Sequence, residues 1–239
     1  MKNHLKIRII GVLLISLSLF PSFSNQQTKK TDRIKVACIG DSITFGARLT
    51  DRDTHSYPAQ LQQLLGNAYE VQNFGVGSLT LIRKGIPTVW NELPKVQQYA
   101  PDIVIISLGT NDTCGMGTCG DRKCWEYKDE FKGDYSDLID LLSGMRSEPQ
   151  VWVCAPSPMV LETLGLSDER VNGLKQRKPR LQELISMIQS ISKEKHVGFI
   201  DLNAPLDHKP ELFTIEDGVH PNQAGYRAIA ALVFEEIKN

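Results

Sequence analysis

The stretch Ile34–Gly46, IKVACIGDSITFG, decides how the rest of the chain is read. Its first seven residues form a short apolar, β-rich run that ends on Gly40. Asp41 and Ser42 then open a segment suited to a helix. A serine at the mouth of a buried strand has two readings. Either its hydroxyl caps the helix, or it is a nucleophile held at the rim of a sheet. The second reading needs a base, a carboxylate to orient that base, and donors for an oxyanion.

Outward from this stretch, short apolar runs alternate with longer amphipathic ones. YEVQNFG (69–75), PDIVIISLG (101–109), QVWVCAPSP (150–158) and VGFIDLN (197–203) read as four further strands. The unbroken Ile and Val of the third strand suit one covered on both faces. Between them, SYPAQLQQLLG (56–66) has Pro58 at a helix start, leucines at helical spacing and Gly66 as a stop. Residues 126–146 place Phe131, Tyr135, Leu138, Ile139 and Leu142 on one stripe, and residues 181–196 and 222–239 are amphipathic as well. This alternation predicts an α/β fold, a parallel sheet with helices on both faces. In such sheets, sites form outside the carboxyl ends of the strands. Asp41–Ser42, Gly75–Thr80, Gly109–Asp112, Ala155–Pro158 and the loop Ala204–Asn222 should therefore meet at one rim.

Composition bounds the rest. With 239 residues, 41% hydrophobic and 23% charged, the chain suits one globular domain, taken as 33–239. A net charge of −1 gives no electrostatic case for nucleic acid. Residues 1–24 read as a signal peptide: a basic start (Lys2, Lys6, Arg8), an apolar run from Ile9 to Phe20, and small residues at Ser22 and Ser24. The run is short of the roughly 20 residues a membrane span needs, so an uncleaved anchor is the lesser reading. Residues 25–32 form a polar tether. Cleavage after Ser24 would take the charge to −4 and export the chain, to the periplasm or beyond, with no stable membrane insertion. Export bears on the five cysteines. Cys114, Cys119 and Cys124 lie within eleven residues, and a disulfide among them suits an oxidising compartment. Free thiols and a three-thiolate zinc site are the alternatives, though the spacings are not C-x2-C hooks. Cys38 and Cys154 sit in apolar runs and read as buried residues.

Among five histidines, His220 stands apart. It lies in DGVHP, three residues after Asp217 and just before the last helix. An aspartate so placed accepts one ring N–H and leaves the other nitrogen facing outward. Asn111, after the third run, offers an amide donor, as do the backbone of Ser42 and the glycine-containing loop NFGVGSLT (73–80).

IGDSITFG, NFGVGSLT, LGTND and DGVHP, in this order and at strand ends, resemble the four blocks of the SGNH (GDSL-type) hydrolase superfamily. The resemblance runs from about Ile34 to the last helix. It implies a three-layer α/β/α, flavodoxin-like fold with five strands in the order 2-1-3-4-5, working without a metal or other cofactor. It also implies Ser42 as nucleophile, His220 as base, Asp217 as its orienting carboxylate, and an oxyanion hole from Ser42, the second block and Asn111. One departure concerns that block. Counted from Asn73, the family's glycine position is Ser78, preceded by Gly77, so both are candidates. If the strand order holds, Cys38 and Cys154 flank the third strand at roughly 9–10 Å, too far to bridge.

The whole-chain style is similar to secreted bacterial sialate and other carbohydrate O-acetylesterases, which implies an acetylated glycan or another small ester as substrate. Asp41, Trp125 and Tyr127 are the candidates for the substrate pocket, with Trp90 read as packing. The alternatives are a lysophospholipase or thioesterase of the same superfamily, or a catalytically idle glycan-binding relative. A flavodoxin-like nucleotide binder is disfavoured because GDSITFG is not G-x-G-x-x-G. Spacing specifies the reaction class rather than the sugar, the acetyl position or the oligomeric state.

Overall fold

The computed structural model describes residues 33–238, so the leader and the tether read from the sequence lie outside the described residues. The five β-rich runs become strands β1 (Ile34–Gly40), β2 (Tyr69–Gly75), β3 (Ile103–Ser107), β4 (Gln150–Ala155) and β5 (Gly198–Asp201). They form one sheet in the order β2-β1-β3-β4-β5, every neighbouring pair parallel. This is the order that the family resemblance implies.

Alternation along the strands divides the core in two. Ala37, Ile39, Val104, Ile106, Val151 and Val153 face one side, packed with Phe131, Tyr135, Leu138 and Leu142 of a helix spanning Phe131–Ser143. Val36, Cys38, Ile103, Ile105, Cys154 and Ile200 face the other, packed with Tyr57 and Leu61 of the helix Tyr57–Leu65 and with Tyr226, Ile229 and Val233 of the helix Gln223–Ile237. Cys38 and Cys154 are buried free thiols on that second side. Burial pushes the Cys38 thiol up to about 12, which makes it inert at neutral pH.

Two helices depart from the sequence reading. A short one at Leu93–Tyr99, started by Pro94, supplies the crossover from β2 to β3. The helix expected at 181–196 begins thirteen residues earlier and spans Asp168–Lys195, with Ser167 capping it by accepting the Arg170 N–H. Pro179 lies inside it. The first half is mostly polar and carries a residue that normally breaks helices, so neither periodicity nor punctuation announces it. Its buried contacts are Leu174 and Leu181 on one side of the sheet, while Leu184, Ile188 and Ile191 further along serve the other. Among the described residues, no helix is long and apolar enough to cross a membrane.

The register brings the strand ends level. Gly40 pairs with Gly75 on one side and Ser107 on the other, so three carboxyl ends share one rim. A single helical turn, Ser42–Phe45, lies directly on this rim because two glycines leave room for it. A Cβ on Gly40 would stand 2.0 Å from Thr44 Oγ1, and one on Gly75 would stand 2.2 Å from the Phe45 backbone nitrogen. The obstacle at Gly75 is backbone and cannot rotate away. Gly75→Ala is therefore expected to destabilise the protein by about 1–3 kcal/mol and to displace the Ser42 turn. Urea unfolding checks this, and a variant with an unchanged midpoint would refute it.

Candidate active site

Asp41 caps the turn that carries Ser42, its carboxylate accepting the Ile43 N–H at 2.9 Å. Gly46, at φ +89°, ends the turn by donating to the carbonyls of Ser42 and Ile43. Ser42 thus sits between a cap and a left-handed stop, and its Oγ emerges at the rim. Asn73 adds a tie from β2, donating to Thr44 O at 2.9 Å while its own oxygen accepts the Gly75 N–H at 2.8 Å.

His220 Nε2 lies 2.8 Å from Ser42 Oγ, and His220 Nδ1 lies 2.7 Å from Asp217 Oδ2. A carboxylate only accepts, so Nδ1 carries the proton toward Asp217 and Nε2 is left as the acceptor for the serine hydroxyl. The turn is built to hold that geometry. Asp217 Oδ1 accepts the N–H groups of Val219 and His220, both at 2.8 Å, and the Thr214 N–H donates to His220 O at 2.9 Å. Asn222 then caps the last helix through the N–H groups of Ala224 and Gly225. Arg48 Nε stands 3.6 Å from Asp217 Oδ2, and Arg170 Nε donates to the Asp217 carbonyl at 2.8 Å. Burial pushes the Asp217 carboxyl up. The hydrogen bond and charge of His220, with the two backbone N–H groups, outweigh it and hold the carboxyl well below the usual range.

Across the rim, the backbone N–H groups of Ser42, Gly77 and Ser78 have no acceptor among the described residues. Ser78, in the register of the family's glycine, has φ +64°, the left-handed conformation that glycine adopts most readily. Gly77 does not share it. Asn111 Nδ2 donates to Leu79 O at 3.1 Å, and Asn111 Oδ1 accepts from Arg122 Nη1 at 3.0 Å. Asp112, 2% exposed, turns inward, its oxygens 2.9–3.1 Å from the N–H groups of Leu81 and Ile82.

The pocket candidates fare differently. Asp41 is only 2% exposed and serves the turn from below rather than lining a cleft. Burial pushes its carboxyl up to about 6 despite the Ile43 N–H. Trp125 is buried in the core beside Lys128 and Arg180, which corrects its expected place on a pocket wall. Its segment packs inward because Trp125 N–H bonds Cys114 O at 2.8 Å. Tyr127 does line a recess of about 420 Å³, together with Lys84, Ile86 and Arg122. A larger cleft of about 830 Å³ lies between the cysteine segment and the long helix, lined by Gly117, Cys119, Gly120, Arg170, Arg177 and Glu216.

Of the three clustered cysteines, Cys114 and Cys119 form a disulfide with Cα atoms 5.5 Å apart, and Cys124 is a buried free thiol. The pair uses two of the three sulfurs that a zinc site would have needed. Arg48, Asn73 and Arg122 escaped sequence reasoning. Arg122 contacts residues 11 and 44 positions away, and no local spacing marks it.

A serine at a strand mouth, a D-x-x-H turn and an asparagine after β3, on a parallel sheet of order 2-1-3-4-5, define a flavodoxin-like α/β scaffold with a Ser–His–Asp line at its rim. Residues 38–228 match the GDSL-like Lipase/Acylhydrolase family, and the chain belongs to that family. It is 31% identical over 228 residues to an acetylxylan esterase of Xylanibacter ruminicola, a match covering 87% of this chain and 44% of that one. A multidomain esterase of Ruminococcus flavefaciens is 24% identical over 274 residues, covering 99% of this chain and 33% of that one. The chain thus spans less than half the length of both relatives. Solved structures of similar fold include the acetyl xylan esterase AlAXEase (TM-score 0.64, 22% identity, covering 85% of this chain and 100% of that one). Another is Est24, a carbohydrate acetylesterase from Sinorhizobium meliloti (TM-score 0.60, 21% identity, covering 85% and 99%).

Proposed function

We propose that this chain is a serine esterase that removes acetyl groups from carbohydrates outside the cytoplasm. The observation carrying the reading is the unbroken line from Ser42 Oγ through the imidazole of His220 to the carboxylate of Asp217, with contacts of 2.8 and 2.7 Å. Ser42 Oγ attacks the ester carbonyl as its proton passes to His220 Nε2. The oxyanion that forms is met by the N–H of Ser42, by that of Ser78 or Gly77, and by the free hydrogen of Asn111 Nδ2. His220 then gives its proton to the departing alcohol, leaving an acyl group on Ser42. Water, deprotonated by the same imidazole, releases the acid and restores the hydroxyl.

Acetyl on a glycan is favoured by the acetylxylan esterase relative. Export follows from the leader read in residues 1–24.

The test is hydrolysis of p-nitrophenyl esters from acetate to octanoate by the 25–239 chain and its Ser42→Ala variant, followed by acetate release from acetylated xylan. Acetate should be preferred, and Ser42→Ala should lose at least about 10⁴ in kcat. Preference for octanoate would move the protein to the lysophospholipase and thioesterase side. Turnover equal to that of the variant would make it an idle glycan binder.

A further inference from the structure

The side of the rim that would receive an oxyanion is spanned by a single side chain. Arg122 Nη1 donates to Asn111 Oδ1 at 3.0 Å, and Arg122 Nη2 donates to Ser78 O at 2.8 Å. We infer that Arg122 is a positioning residue for ester hydrolysis, fixing the Asn111 amide and the Ser78 loop in the geometry that accepts the oxyanion. The inference rests on the roles given above to Ser42 and Asn111.

A guanidinium only donates, so Asn111 must turn its oxygen toward Arg122 and its nitrogen the other way. Leu79 O takes one Nδ2 hydrogen at 3.1 Å, and the second has no acceptor among the described residues. Leu79 O by itself would already disfavour a flipped amide. What Arg122 adds is a charge on the amide oxygen, which draws electron density from the nitrogen and makes its remaining N–H a stronger donor. The second arm acts on the main chain. Ser78 occupies a left-handed conformation that is unfavourable for a residue with a side chain, and a charge-assisted bond to its carbonyl holds it there.

Arg122 is itself firmly mounted. It follows the Cys114–Cys119 hairpin, in which the N–H of Gly115 meets Thr118 O and the N–H of Thr118 meets Gly115 O. Arg180, from the long helix, donates to Thr113 O at 3.0 Å and to Gly115 O at 2.9 Å. Arg122 Nε is buried without a partner, so the side chain forgoes one bond while making the two to Asn111 and Ser78. The hairpin, which has no role in the triad, thereby acquires one in the reaction.

The experiment is a double-mutant cycle of Arg122→Gln and Asn111→Ala, with Arg122→Lys as the conservative control, read as kcat and KM on p-nitrophenyl acetate. Arg122→Gln should lower kcat about tenfold or more and leave KM within about twofold. In the Asn111→Ala background only the bond to Ser78 remains to be lost, so the same change should cost measurably less than in the wild type, and Arg122→Lys should recover part of the loss. Equal losses in both backgrounds, or a rise in KM alone, would overturn the inference. Urea midpoints identify a variant that has merely lost its fold, and in that case the Lys variant carries the cycle. A wild type no faster than Ser42→Ala would overturn the proposed function instead. The Asn111 side-chain amide then reads the inference directly by NMR. Its Nδ2 proton resonances should move upfield in Arg122→Gln, as the amide loses the charge on its oxygen, and unchanged shifts would refute it.

Discussion

Asp217→Asn is expected to lower kcat by about 10³–10⁴ while leaving the fold in place. The asparagine keeps an oxygen where Oδ1 now accepts the N–H groups of Val219 and His220, so the turn can persist. What changes is the atom facing the imidazole. Asparagine would present an NH2 to His220 Nδ1, which must then become the acceptor, and the ring proton moves to Nε2. That nitrogen, 2.8 Å from Ser42 Oγ, would donate to the hydroxyl instead of receiving its proton. The base is lost without a change of shape. KM for p-nitrophenyl acetate should move little, because no atom of Asp217 faces the ester. A kcat within tenfold of wild type would show that Asp217 does not set the tautomer.

The same substitution makes a pH prediction of definite sign. The Asp217 carboxyl is held below its ordinary 3.8 in the folded protein, so the unfolded chain binds the proton more readily. Its contribution to stability is fully present above about pH 4 and is lost as pH falls through the lower, folded value. Asp217→Asn should therefore flatten the acid limb of the stability curve below about pH 4, as read from thermal midpoints across the acid range.

Legibility in the sequence varied with the range of the physics involved. The strands announced themselves because a strand buried on both faces is apolar along almost its whole length, as in the IVII run that fills β3 up to Ser107. His220 and Asp217 were legible because their contact spans three residues of one turn. Ser78 was reached by register, and its positive φ shows why glycine is the usual occupant there. Asp41 was misplaced because a capping carboxylate and a pocket carboxylate look alike beside a serine, and only burial separates them. Trp125 failed for a similar reason, since nothing in CWEY says which side of the segment turns inward. The cysteine pairing needed distances, and Arg122 needed three separated segments to converge. The polar first half of the long helix hid behind Pro179.

Asp112 holds the loop beside the proposed oxyanion site, and Asp112→Ala is expected to destabilise the protein by about 2–4 kcal/mol. Its carboxylate receives the N–H groups of Leu81 and Ile82 in a fully buried setting, and alanine would leave both donors without partners. The loop they belong to also carries Ser78 and the Leu79 carbonyl that orients Asn111, so kcat should fall along with stability. Asp112→Asn separates the two roles of the carboxylate. One amide oxygen can still receive both N–H groups, so its cost should be smaller, about 1 kcal/mol. The pH dependence runs opposite to that of Asp217. Burial pushes the Asp112 carboxyl up to about 6, against the pull of the two backbone donors, so here the folded state binds the proton more tightly. That contribution is present below about pH 4 and lost as pH rises through 6, a difference of about 3 kcal/mol at 1.36 kcal/mol per unit. Asp112→Asn, which cannot titrate, should lack this loss. Urea unfolding of both proteins at pH 4, 5, 6 and 7 measures it directly, and parallel curves would show that Asp112 is ionised throughout and held by its two N–H groups alone.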